Sequence, residues 1–134
     1  MRAFLIAAAV VLTHTAHAGE HQTIFEQIVT SAGATQGAAR SCGAAEPDLR
    51  EHAANWHVHL KRYAQEYGFD ATVLPARFAE GEAQGRAMME QMRGSGEDGC
   101  AGVMGSFQRE RAIGYTEMKQ AIAEVTDGLP DKAR

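Results

Sequence analysis

The beginning of this 134-residue chain constrains it most: Met1-Arg2, an apolar run from Ala3 to Leu12, then Ala16-His17-Ala18. A basic start, an apolar stretch of about ten residues and an A-x-A site form the pattern of a secretory signal peptide. The stretch is too short for a membrane span, which needs about 20 apolar residues. The expectation is a signal peptide over residues 1–18, cleavage near Ala18-Gly19, and a periplasmic or secreted product. Residues 19–126 are then expected to form a single helical domain, with 127–134 as a flexible C-terminal tail.

Export decides how the two cysteines are read. Cys42 and Cys100 are the whole complement of the chain, and in an oxidising compartment an even count points to a disulfide. With two cysteines there is one possible pairing. Closing a loop of nearly sixty residues contributes about 4 kcal/mol on the chain-entropy view, a large share of the roughly 5–15 kcal/mol by which a domain is stable. No C-x-x-C is present, so neither thioredoxin-like chemistry nor c-type haem attachment is supported.

Apolar spacing predicts an all-α fold, a small four-helix bundle-like domain with that one long-range disulfide. None of the four segments alternates with the period of a half-buried strand. The first, about Glu20 to Arg40, carries Ile24, Phe25, Ile28 and Val29 before an Ala/Gly-rich half, where Gly33 and Gly37 each weaken a helix by about 1 kcal/mol and suggest a break. The second opens with Pro47 and Asp48 and repeats Leu49, Ala53, Trp56, Leu60, Tyr63 and Tyr67, with Gly68 and Phe69 suited to a left-handed ending. Asp70 is a candidate cap for a separate turn before a third helix from Pro75. The inward face of that helix reads Phe78, Gly81, Gly85, Met88, Met89 and Met92. After a loop over 94–99, the fourth helix begins about Cys100 with Val103, Met104, Phe107, Met118, Ile122 and Val125. Arg109 to Gly114 interrupts its apolar pattern and predicts a kink there.

Composition excludes more than it selects. The chain has 13 Lys and Arg against 17 Asp and Glu, and loss of Arg2 with the signal makes it more acidic. Nucleic acid and anionic lipid are poor partners for such a surface, and membrane insertion is not expected. The serines lack a G-x-S-x-G context, no H-E-x-x-H is present, and the 94–99 loop lacks the Lys-Ser/Thr ending of a phosphate-binding loop. Glu80 and Glu82 diverge on their helix. No enzyme activity and no cofactor are expected.

Candidate binding residues are His52, Trp56 and His59 on one edge of the second helix, with a notch at Gly81 and Gly85 placed opposite them. The notch is expected to receive Trp56 or an aromatic side chain of the fourth helix, or to line a cavity for an apolar ligand. His52 and His59 share an angle on the helix but lie about 10.5 Å apart along it, too far for one metal ion with bonds of about 2 Å. A metal site therefore requires other helices, with His52, His59, Met88 and Met92 as the candidate set, since thioethers favour Cu(I).

In size and layout, an exported helical chain with one long-range disulfide is similar to the small acid-stress chaperones of the bacterial periplasm. That resemblance implies an acid-protective role and assigns no residues. The leading expectation is an exported binding or interaction protein whose partner is another protein of the cell envelope or the exterior. The alternatives are a carrier of copper, haem or a small apolar ligand, and the acid-stress chaperone.

Overall fold

The computed structural model describes residues 8–125, with side chains from Gly19 onward. It contains helices α1 (Ala8–Ser41), α2 (Glu46–Tyr67), α3 (Leu74–Gly94), α4 (Cys100–Ala112) and α5 (Tyr115–Val125), with one 3₁₀ turn at Ala71–Val73. The fold is all-α. The helices number five rather than four because the expected kink is a full break at Ile113-Gly114. Among the described residues, no helix is long and apolar enough to cross a membrane. The expected tail lies outside the described residues, as do residues 1–7. The rest of the expected signal segment belongs to the same continuous helix as the residues that follow Ala18.

The local punctuation follows its chemistry. Pro47 sits in the first turn of α2, and Gly68 closes the helix at φ 79° with its N–H bonded to the Ala64 carbonyl, the left-handed ending that a missing Cβ makes inexpensive. Phe69 N–H bonds to the same carbonyl at 2.9 Å, and the Phe69 ring stacks on Phe25, centroids 5.0 Å apart. Asp70 caps the 3₁₀ turn by accepting from the Thr72 N–H at 2.9 Å.

Two buried clusters share the interior. The larger joins Phe25 and Val29 of α1, Leu60 and Tyr63 of α2, Leu74 and Phe78, and Tyr115, Met118 and Ile122 of α5. Burial pushes the Tyr63 phenol up to about 12, in keeping with a hydroxyl held in the apolar interior. The smaller cluster sets Ala39, Leu49 and Phe107 together near the disulfide end. Cys42 and Cys100 are bonded, Cα atoms 5.6 Å apart, so the end of α1 is tied to the start of α4 as expected.

The first helix does not break at its glycines. Gly33 and Gly37 face α3, where added Cβ atoms would collide with the carbonyls of Phe78 and Glu82; Gly81 and Gly85 face α1, where they would collide with those of Thr30 and Ala34. Each helix offers its glycines to the backbone of the other. The notch on α3 is therefore filled by α1, not by Trp56 or an aromatic side chain of the fourth helix, and it leaves no cavity for a ligand. The expected inward face of α3 holds for Phe78, Gly81, Gly85 and Met89, all buried, while Met88 is 47% exposed.

Two measurements test these contacts. Gly37→Ala and Gly85→Ala should each destabilise by about 2–3 kcal/mol in denaturant unfolding, overpacking exceeding the gain in helix propensity. Gly102→Ala, whose Cβ would meet nothing within 4 Å, should be neutral or stabilising. Reduction of Cys42–Cys100 should lower Tm by roughly 10–20 °C, from a loss of about 4 kcal/mol; an unchanged Tm would remove the structural role of the bridge.

Candidate ligand-binding groove

The break between α4 and α5 shapes the surface opposite α3. Ile113 is extended (φ −63°, ψ 137°), which leaves carbonyls at the end of α4 without helical partners. Helix α2 supplies the donors. Asn55 Nδ2 donates to the carbonyls of Glu110 and Ile113, each at 3.0 Å, and His59 Nε2 donates to the Ile113 carbonyl at 3.0 Å. The bend is thereby fixed from the side, and α5 continues along α2 towards its C-terminal half.

Further ties hold α5 there. The Tyr115 hydroxyl donates to Glu66, Lys119 Nζ lies 2.9 Å from Glu66, and the Arg62 guanidinium stacks over the Tyr115 ring, 4.0 Å from its centroid. The bonds from Lys119 and Tyr115 hold the Glu66 carboxyl below its ordinary value of 4.5. Burial, then the bond to Glu66, pushes the Tyr115 phenol up.

Beside the bend lies a buried polar chain. Gln36 Nε2 donates to the Leu49 carbonyl at 2.9 Å, which orients the amide and aims its Oε1 at His52 Nδ1, 2.7 Å away. Nδ1 must then carry the hydrogen, since an amide oxygen only accepts. On the other side of the ring, Trp56 Nε1–H lies 3.2 Å from His52 Nε2 and 2.9 Å from Glu110 Oε1. His52 Nε2 and Glu110 Oε1 are themselves 3.2 Å apart. His52 is fully buried, its ring tilted against Phe107 at 4.8 Å. Among the described residues, no buried side-chain nitrogen or oxygen lacks a partner.

These anchors leave a groove of about 450 Å³ between α1 and the α4–α5 pair. Ile24, Ile28 and Ala32 of α1 face Met118, Ala121 and Ile122 of α5, with Trp56 and Ile113 between them. Polar groups border it: Gln27, Ser31 and Thr35 along α1, and Arg109 and Glu110 at the end of α4. Both its volume and its mostly apolar lining with a few polar groups at the margin suit a small-molecule site. A larger recess of about 680 Å³ between α1 and α3 is lined by polar residues. There Arg77 is already paired with Glu26 and Glu80, each at 2.8 Å.

The expected site residues are thus dispersed. His52, Trp56 and His59 do share the α4-facing side of α2, but His52 is inside the protein, His59 caps α4, and only Trp56 borders the groove. Gly81 and Gly85 lie in the α1–α3 contact and do not face these residues. The candidate metal set is not brought together either. His52 points both ring nitrogens and His59 its Nε2 at protein groups, Met88 lines a recess with Ala34 and Val103, and Met92 lies against Gly99. Among the described residues, no three His, Cys, Asp or Glu side chains form a metal cluster. The loop at 94–99 is exposed apart from half-buried Gly99, and Asp98 accepts from the Cys100 N–H at 3.0 Å.

Sequence reasoning missed Gln36, Asn55, Arg109 and Glu110. The last two sit where the apolar pattern stops, and that interruption marked the bend without showing what it holds.

The tie through Glu66 predicts a pH dependence. Because its folded value is lowered, its contribution to stability is complete above 4.5 and is lost as pH falls through the folded value. Wild type should therefore lose stability below pH 4.5 more steeply than Glu66→Gln in matched thermal melts; parallel curves would show that this contact does not hold α5.

No protein-family model matches the chain, and no curated protein or solved structure is significantly similar to it.

Proposed function

We propose that this protein is a small exported binding protein without catalytic activity that carries an apolar ligand in the groove between α1 and the α4–α5 pair. The groove itself is the observation that carries this reading: a concave, largely apolar trough of about 450 Å³ on a small domain. Apolar surface left in a concavity stays in contact with water, and a ligand that covers it gains roughly 25 cal/mol for each Å² removed. The Cys42–Cys100 bond supports an oxidising compartment, and the N-terminal pattern supports export to the periplasm or the exterior.

Between the two leading expectations, the geometry favours the carrier over docking of a protein on the His52–Trp56–His59 edge. Those side chains already bond within the protein and hold the bend beside α2. Copper and haem are disfavoured as cargo because the histidines and methionines named for them lie apart. A small apolar molecule fits the groove as it stands.

Trp56 is the one tryptophan of the chain and borders the groove, so it reports on occupancy. Titration with 1-dodecanol should change its emission saturably with one molecule bound per chain. Ala121→Phe places a ring into the groove from an exposed position on α5, and should abolish the response while leaving the thermal midpoint near that of wild type. Absence of a saturable signal in wild type, or an equal signal in Ala121→Phe, would overturn the groove as the binding site.

A further inference from the structure

The two charged residues that border the groove differ in how they are satisfied. Glu110, its side chain 18% exposed, accepts from Trp56 at 2.9 Å and faces His52. Its neighbour Arg111 is bonded to Asp48. Arg109, on the same turns of α4, is exposed, and its guanidinium makes no hydrogen bond or ion pair among the described residues. The carboxylate of the groove is thus used internally, while its cation is free for a ligand.

The placement of that cation is asymmetric. Gln36 bonds to His52, and His52 faces Glu110, so the Thr35–Gln36 turn of α1 lies beside the end of α4. Arg109 and Thr35 therefore stand at one end of the trough. Ile24 and Val125 line it with no charge between them, and Val125 is 80% exposed. A ligand that matches this layout has one anionic end and an apolar body.

Resting on the groove as the binding site, we infer that its ligand class is an alkyl carboxylate of the fatty-acid type, with the chain along α1 and α5 and the carboxylate on the Arg109 guanidinium. The planar guanidinium pairs with a carboxylate through two parallel N–H bonds. The volume suits one small molecule. Selectivity over a neutral chain of equal length is modest because Arg109 is solvated, which weakens an ion pair.

The experiment compares laurate, 1-dodecanol and dodecyltrimethylammonium through Trp56 emission on the mature, oxidised protein. Wild type should bind laurate about threefold to fivefold more tightly than dodecanol, equivalent to about 0.6–1 kcal/mol, and the ammonium amphiphile most weakly. Arg109→Gln should bring laurate and dodecanol together. Arg109→Glu should move the preference towards the ammonium amphiphile, and Arg86→Gln, away from the groove on α3, should keep the wild-type order. Equal affinity for laurate and dodecanol in wild type, or a laurate preference that survives in Arg109→Gln, would overturn the ligand class while dodecanol binding upheld the groove. Failure of both to bind would overturn the groove itself.

Discussion

Everything else in this fold rests on the approach of α1 to α3, where four glycines remove the side chains that normally keep two helices apart. Gly33 and Gly37 meet the backbone of α3, and Gly81 and Gly85 meet that of α1. Each glycine costs a helix about 1 kcal/mol relative to alanine, so four of them would be a liability in isolated segments. Backbone contact offsets that cost through dense dispersion and Cα–H···O interactions. With these two helices joined so closely, the larger side chains of α1 serve the other partners. Phe25 and Val29 enter the core, while Ile24 and Ile28 are left half-buried at the groove.

The helical segments were legible in the sequence because periodicity, proline and glycine act locally. Gly68, Asp70 and the Cys42–Cys100 pair need no knowledge of distant contacts to be placed. The glycine pairs were legible as a motif but not in their partner, since spacing records which residues share a face and not which helix meets it. Gly33 and Gly37 read as a weakness because helix propensity is local, while the contact that offsets it is tertiary. Four helices were expected where five form for the same reason: the polar stretch from Arg109 to Gly114 signals interruption, but a full break depends on Asn55 and His59 supplying donors from α2.

The candidate site was legible only in part. Trp56 stood out by type and does border the groove. His52 and His59 were singled out as binding groups because imidazoles are versatile, yet burial and carbonyl partners assign them to holding α4 in place. Gln36 completes that arrangement from a position with no distinguishing local pattern, and Glu110 from an interruption that marks the bend but not its partner. A buried histidine is tolerable only where its polar atoms are satisfied, and that condition spans α1, α2 and α4 together, so no single stretch of sequence can display it.

The two sides of α1 are consequently held by different physics. Towards α3 the contact is backbone against backbone, with little room for either helix to move without collision. Towards α4 and α5 it runs through side chains: α1 reaches α4 through the Gln36–His52–Glu110 chain, and α2 holds the pair by the caps from Asn55 and His59 and the Glu66 ties to Tyr115 and Lys119. Contacts made by longer, partly solvated side chains open at lower free energy than a close-packed interior. The α4–α5 wall of the groove has both kinds: Phe107, Met118 and Ile122 are buried and Cys42–Cys100 fastens the start of α4 to α1, while Lys119 and Glu66 meet nearer solvent. A ligand entering between Ile28 and Ile122 would find one side fixed from behind by α3 and the other fixed by the disulfide and the buried face of α5, a groove already shaped rather than one opened by its arrival.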